Sequence, residues 1–150
     1  MMIRSALAFA AAVVFTTLAA AQSPCTLLTP DQIKAVVGES VVPGQPGGPK
    51  DSPDCTWRDA KGENRVYLSL KSRDNFNVTR AQMQHSGHLA NVSGVGEDAF
   101  FVTSAAGSTA YLYTIGKHHL LLLSINIPNG SKQDNEAAEK AVATEVLPKI

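Results

Sequence analysis

The chain has 150 residues, of which 44% are hydrophobic, and its 13 basic side chains balance its 13 acidic ones. A neutral chain offers no electrostatic footprint for nucleic acid or for an anionic membrane surface, so neither is expected as a partner. The ordinary hydrophobic content and the lack of low-complexity tracts exclude a disordered chain and indicate a globular protein.

Residues 1–21 have the organisation of a secretory signal peptide. Arg4 supplies a basic start, residues 5–18 form an uncharged, Ala-rich run, and residues 19–21 are a small-residue cleavage signal before Gln22. The apolar run is shorter than the roughly 20 residues that a transmembrane anchor needs. We therefore predict cleavage after residue 21, a periplasmic or secreted location, and no membrane span in the mature protein.

The mature chain, residues 22–150, has the length of one domain. Its two cysteines, Cys25 and Cys55, are expected to form a disulfide, because an even cysteine count is typical of disulfide pairing in exported proteins. Two buried free thiols are the alternative. A zinc site is disfavoured because zinc requires closely spaced ligand pairs. A lipid anchor is disfavoured because residues 22–24 separate Cys25 from the small residues of the signal.

The first predicted helix covers residues 30–37. Thr29 can cap this helix, Pro30 suits its first position, and Gly38 is placed to end it. Residues 43–53 then contain four prolines and three glycines, a density of helix and strand breakers that predicts a long loop without regular structure. This loop lies inside the ring that the disulfide would close.

Alternation of apolar and polar residues predicts five strands, at residues 55–59, 65–71, 99–103, 109–115 and 119–127. Tyr67 lies on the polar side of the second of these strands, and Tyr111 and Tyr113 share one side of the fourth. Short turns between strands favour antiparallel pairing.

Two further helices complete the predicted architecture. One begins at a cap at Asn77 or Thr79 and runs to about residue 87 or 89, and the other covers residues 134–147 with Glu139 on its solvent-facing side. The predicted order is α-β-β-α-β-β-β-α. Helices set apart from hairpins must cover a sheet face, so the fold class is α+β: an antiparallel sheet of about five strands with helices packed on one face.

The histidines are the only candidates for a metal site. His85 and His88 are three residues apart, which would place them on one helical face, and His119 begins a strand. This pattern leaves open a metal site built from His85, His88 and His119. Surface histidines are the simpler interpretation, and no cofactor is expected.

No motif for catalysis occurs in the context that its chemistry requires. Residues 94–99 match the residue pattern of the dinucleotide fingerprint G-x-G-x-x-A. However, a predicted strand follows them, where the fingerprint needs a helix. A nucleophile elbow is absent, and Glu97 and Asp98 are expected to lie in a solvated turn. We therefore predict no catalytic residues and a protein that is not an enzyme.

The chain resembles a group of small exported bacterial domains of unknown function, best known as actinobacterial lipoproteins and sensor-like extracytoplasmic modules. The resemblance rests on Cys25 before a leucine-rich helix start, on Cys55 at a strand start, and on a G-x-G-[D/E]-x-A-[F/Y] turn at residues 94–100. It implies a disulfide-bonded α+β domain and brings no catalytic residue. The chain departs from the group by lacking the lipid-attachment cysteine.

The leading functional hypothesis is a binding module for a protein or a cell-envelope ligand, because loops on rigid scaffolds commonly carry recognition. The candidate site is the loop at residues 45–50 with two nearby aromatic side chains: Gln45, Gly47, Gly48, Lys50, Trp57 and Tyr67. Packing in the core is the alternative role for Trp57. A metal-binding protein and a small inhibitor of an exported hydrolase are the alternative functions.

Overall fold

The computed structural model describes residues 23–49, 52–85, 88–103 and 110–150. The predicted signal peptide and Lys50 lie outside these residues. The helices are α1 (Pro30–Val37), α2 (Asn75–Gln84) and α3 (Lys132–Val146), with short 3-10 turns at Pro24–Thr26 and Leu147–Lys149. The strands are β1 (Gln45–Pro46), β2 (Asp54–Arg58), β3 (Asn64–Ser72), β4 (Leu89–Val92), β5 (Asp98–Thr103), β6 (Ala110–Ile115) and β7 (His119–Ile125).

The strands form one sheet in the order β1-β2-β3-β7-β6-β5-β4, and every neighbouring pair is antiparallel. The α+β class is therefore confirmed, but the described residues contain seven strands rather than five. The strand β7, which the sequence marks most clearly, lies at the centre and pairs with β3 and β6. No helix in these residues is long and apolar enough to cross a lipid bilayer.

Both additional strands lie at the edges of the sheet. The strand β1 falls inside the proline-rich segment that was predicted to be irregular, and it pairs through Gln45↔Thr56 and Pro46↔Cys55. The backbone N–H of Val42 also donates to Arg58 O. An edge strand tolerates proline because one side of it needs no ladder hydrogen bond. The strand β4 is only four residues long.

The helices cover both faces of the sheet, which corrects the prediction that they share one. Residues from α1 and α3 pack with Leu68, Leu121 and Leu123 in the main core. Phe76 of α2 packs instead with Leu120 and other strand side chains that alternate with the core residues and point to the other face of the sheet. Successive residues of a strand point to opposite faces, so α2 lies across the sheet from the other two helices. We call the α1–α3 side the core face and the α2 side the tyrosine face.

The first helix and the disulfide agree with the predictions made from the sequence. Thr29 and Gln32 form a reciprocal capping box at the start of α1, and Gly38 ends the helix with a left-handed φ of 78°. Cys25 and Cys55 form the predicted disulfide, which joins positions 30 residues apart. It brings the segment before α1 onto β2, where Cys55 is fully buried.

The second helix differs from its prediction in both position and buried face. It begins at Asn75, ahead of the predicted caps Asn77 and Thr79, and ends at Gln84. Phe76 is its buried residue, whereas Val78 is 58% exposed. The apolar pattern is weak along this segment, so the contact with Phe100 on the sheet determines which side is buried.

Candidate functional site

A cavity of about 710 Å³ lies over the tyrosine face where α2 does not cover it. All three tyrosines of the protein line it: Tyr67, Tyr111 and Tyr113. Its remaining lining is mixed, with Leu122, Ser124 and Arg65 beside the three asparagines Asn64, Asn126 and Asn135. The volume falls within the roughly 300–1,000 Å³ that is typical of small-molecule sites. We call this cavity the tyrosine pocket.

Strand register explains how residues far apart in the sequence meet at the pocket. Tyr67 on β3 lies directly opposite Ser124 on β7, and Tyr113 on β6 lies opposite Leu122 on β7. Neighbouring strands are about 4.8 Å apart, so these side chains form adjacent rows on one face. The pocket floor therefore depends on pairing among the three central strands.

An aromatic stack positions one wall of the pocket. The ring of Tyr113 lies parallel to that of Phe100, with centroids 5.0 Å apart and planes 6° apart. Phe76 of α2 meets the Phe100 ring at 5.2 Å, and the guanidinium of Arg80 lies 5.1 Å from both phenylalanine centroids. Arg80 in turn makes two hydrogen bonds to Asp98, at 2.6 and 2.9 Å. Docking of α2 thus fixes the Tyr113 ring.

The turn that carries the sequence resemblance has structural roles. Gly96 has a φ of 61°, and a Cβ there would lie 2.5 Å from Ile115 O. Glu97 forms a two-point ion pair with Arg73, at 2.7 and 2.9 Å. Glu97 is exposed in the turn, in line with the prediction, and Asp98 begins β5; both carboxylates are also tied to the α2 region through Arg73 and Arg80.

Arg65, which lines the pocket, is the buried centre of an ion cluster in which Asp59 is also buried and Glu39 and Glu63 are partly exposed. The Nη2 atom of Arg65 lies 2.6 Å from Asp59, 2.8 Å from Glu63 and 3.2 Å from Glu39. Burial opposes ionisation of Asp59, but N–H donors from Glu63 and Lys61 and the Arg65 guanidinium outweigh it and lower its pKa. One nitrogen of the guanidinium therefore meets three carboxylates, whose negative charges outnumber its positive charge.

Two side chains of α3 accept hydrogen bonds from backbone at and just beyond the end of β7, and one of them, Asn135, lines the pocket. Beyond the last β6–β7 pair, Leu112↔Leu123, the backbone N–H of Ile125 donates to Glu139 and that of Ile127 to Asn135, both at 2.9 Å. These two helical side chains occupy acceptor positions that a longer β6 would supply. Glu139 is fully buried, which corrects its predicted place on the solvent-facing side of the helix.

Two of the pocket tyrosines hold their protons more firmly than usual. Burial raises the pKa of Tyr67, and the carboxylate of Asp54 adds to the effect. Burial also raises the pKa of Tyr113, with a smaller contribution from Tyr111. Both phenols are therefore neutral at physiological pH; the Tyr67 hydroxyl donates its proton to Asp54, whereas Tyr113 can both donate and accept a hydrogen bond.

The residues of the predicted loop site do not lie together: the structure places some on the core face and others on the tyrosine face of the sheet. Trp57 is fully buried in the main core, on the face opposite the pocket, so the packing alternative holds for it. Tyr67 lines the pocket, and Gln45 lies in the same cross-strand row two strands away, through Thr56. Gly47 and Gly48 are exposed beyond the sheet edge. A recognition role for this loop stays a prediction.

The three candidate metal ligands do not form a common site. The helix α2 ends at Gln84, so His85 and His88 do not share a helical face as predicted. His119 is the first residue of β7 and lies on the same side of this strand as Leu121 and Leu123, which is the core face, opposite α2. Among the described residues, no group of three or more His, Cys, Asp or Glu side chains could hold a metal ion.

Sequence reasoning found only Tyr67 among the tyrosines of the pocket. The signal for the others was the placement of Tyr111 and Tyr113 on one side of a strand, which locates them on a common face. Which face that is, and which strand lies beside it, depends on pairing between distant segments. Ser124 could be placed only after β3 and β7 were known to be neighbours.

These features define a disulfide-bonded α+β domain with an antiparallel sheet and a pocket on one face. The chain belongs to the family described as protein of unknown function (DUF3558), whose sequence profile matches residues 10–119. The match ends at the first residue of β7, so it includes both cysteines and the Gly94–Gly96 turn but not α3. No curated protein and no solved structure matches this chain.

Proposed function

We propose that this protein is an exported, non-enzymatic binding module whose recognition site is the tyrosine pocket. The observation that carries the proposal is the convergence of all three tyrosines on one cavity. Tyrosine combines a large apolar ring with a polar hydroxyl, which suits it to binding surfaces that are partly exposed to water. Binding pockets commonly combine aromatic walls with a few polar groups in this way.

A binding role fits the pocket chemistry better than a catalytic role. Its lining among the described residues includes no Asp, Glu, His, Cys or Lys. General acid–base and nucleophilic catalysis depend chiefly on those residue types within hydrogen-bond reach of the substrate. The raised pKa values of Tyr67 and Tyr113 make these phenols weaker acids that stay protonated at neutral pH, so neither supplies a base, and Arg65 is held by its carboxylates.

Export is supported by the disulfide between Cys25 and Cys55, because such bonds persist in oxidising compartments. It agrees with the order of basic, apolar and small residues in the first 21 positions. Mass spectrometry of the protein recovered from its native host should give an N-terminus at Gln22. An N-terminus at Met1 on the native protein would contradict export by cleavage.

The pocket itself is tested by ligand screening with residue-level detection. Protein labelled with ¹³C on its tyrosines would be screened by NMR against a library of soluble fragments that includes sugars, amino acids and short peptides. We expect the shifts caused by binders to fall on the three pocket tyrosines, and the shift of Tyr113 to disappear in the Tyr67→Ala, Tyr111→Ala double variant.

The matched control is a Gly48→Ala variant in the exposed loop, which should leave those shifts unchanged. A Cβ at Gly48 would come no closer than 3.5 Å to its nearest neighbour, Ser52, so this substitution does not disturb the fold. Ligands that perturb the backbone of residues 45–48 and leave all three tyrosines unchanged would contradict the pocket and favour the loop.

A further inference from the structure

We propose that the tyrosine pocket binds a neutral saccharide. This inference rests on the proposed function and specifies its ligand class. It follows from four properties of the site: the charge of its lining, its hydrogen-bonding groups, its aromatic surfaces and its place in the sheet.

The lining offers no free charge to an ionic ligand. Arg65 is the only charged residue among the described lining residues, and its Nη2 atom lies within 3.2 Å of Asp59, Glu63 and Glu39. An anion would face this excess of carboxylates. A cation would have to leave water for a pocket whose side chains are neutral apart from Arg65, which is itself a cation. Desolvation of an uncompensated charge is costly, so a neutral ligand is favoured.

The neutral polar groups favour a ligand with many hydroxyls. Asn135 and Asn64 each use the side-chain oxygen within the protein, accepting from Ile127 N and Arg58 Nε respectively. Their NH2 groups make no hydrogen bond within the described residues, and so remain available as donors. Ser124 donates to Ala110 O, which leaves its oxygen as an acceptor. Hydroxyl groups both donate and accept, and therefore match this mixed set.

The aromatic surfaces supply the apolar half of the recognition. Tyr67, Tyr111 and Tyr113 are each partly buried, so part of every side chain stays accessible. A pyranose ring has one or both faces made largely of C–H groups and an edge made of hydroxyls. The tyrosine rings can pack against the C–H faces while the asparagines and Ser124 bond the edge.

The position of the pocket disfavours an extended peptide. The tyrosines lie on β3 and β6, which flank β7 at the centre of the sheet. The backbone groups of central strands are already paired, so a peptide cannot add to them as another strand. A peptide could therefore be bound only through contacts with the pocket side chains, without backbone pairing. A saccharide does not require backbone pairing, so side-chain contacts are enough to bind it.

The test is an NMR titration of tyrosine-labelled protein with four defined probes. Cellotriose and tri-N-acetylchitotriose are neutral saccharides, trigalacturonate is an anionic one, and Gly-Ser-Gly with blocked ends is a neutral peptide. We expect a neutral trisaccharide to shift Tyr67 and Tyr111 with a Kd of about 1 mM or tighter. Tyr111→Ala should weaken this binding about tenfold, and Tyr111→Phe should weaken it less because it retains the ring.

The outcomes separate this inference from the proposed function. Val78→Ala serves as the control and should leave binding unchanged, since Val78 is 58% exposed on α2 and does not line the pocket. Binding of only the peptide or of only trigalacturonate at the tyrosines would overturn the saccharide class and leave the pocket as a binding site. No shift with either neutral saccharide would also overturn the inference. The fragment screen would then decide whether the pocket binds anything.

Discussion

The carboxyl group of Glu139 accepts a hydrogen bond of 2.9 Å from the backbone N–H of Ile125, inside the core. Glu139 is fully buried, and its second oxygen has no partner within the described residues. Burial raises its pKa from 4.5 to about 8, although the N–H donor of Ile125 works in the opposite direction. At neutral pH this residue therefore retains a proton, and the helix contributes an uncharged acceptor to the sheet.

We predict that Glu139 makes the stability of the protein depend on pH. Below pH 4.5 both the folded and the unfolded states are protonated, so the group carries no penalty. Between pH 4.5 and about 8 the unfolded state releases the proton while the folded state keeps it, and stability falls as pH rises. Over that window the loss should reach a few kcal/mol, on the order of 1.4 for each unit of pKa shift.

Urea denaturation of the wild type and of Glu139→Gln at pH 5 and pH 8 checks this prediction. The variant should lose much less stability between the two values, because glutamine keeps an acceptor and does not titrate. Glu145→Gln is the control, since Glu145 is an exposed carboxylate on the same helix. Equal pH dependence in wild type and Glu139→Gln would show that Glu139 is not the titrating group.

Gly44→Ala should destabilise the protein by about 1–3 kcal/mol through overpacking. A Cβ at Gly44 would lie 2.6 Å from Cys55 Sγ and 2.7 Å from the indole of Trp57, both of which are fully buried. Chemical denaturation measures the loss. Gly48→Ala is the matched control in the same segment and should be nearly neutral. If the two variants are equally stable, the segment does not pack on Trp57 as described.

Gly96→Ala should cost more than Gly94→Ala. Both glycines have left-handed φ values, 61° and 80°, so each substitution carries about 1 kcal/mol of backbone strain. Only at Gly96 would a Cβ also contact Thr114 and Ile115 O, whereas nothing lies within 4 Å at Gly94. Thermal denaturation should therefore show a loss of stability of about 1 kcal/mol for Gly94→Ala and of about 2–4 kcal/mol for Gly96→Ala. Equal losses would mean that backbone strain alone accounts for both.

Removing the disulfide with Cys25→Ala and Cys55→Ala should cost about 3–4 kcal/mol, because the bond closes a loop across 30 residues. Urea denaturation of the oxidised wild type against the double variant gives the difference. Wild type treated with a reductant should approach the stability of the variant. A reduced wild type as stable as the oxidised protein would contradict this contribution.

The segments that the sequence predicted well are those whose signals are local. Thr29, Pro30 and Gly38 mark both ends of α1, because capping and left-handed φ depend on neighbouring residues alone. Predicted strands 65–71 and 119–127 lie close to β3 and β7. The second helix was placed three or five residues late, since its start is decided by the packing of Phe76 and not by a side-chain cap.

The sequence by itself determined the α+β class, the cysteine pair and the central strands, because composition, capping and alternation act over a few residues. Only the tertiary structure decided that Glu139 is buried, that α2 lies on the face opposite α1 and α3, and that the three tyrosines share one pocket. Alternation shows that successive side chains point to opposite faces. It does not show which strand lies beside which, and that pairing between distant segments creates the pocket.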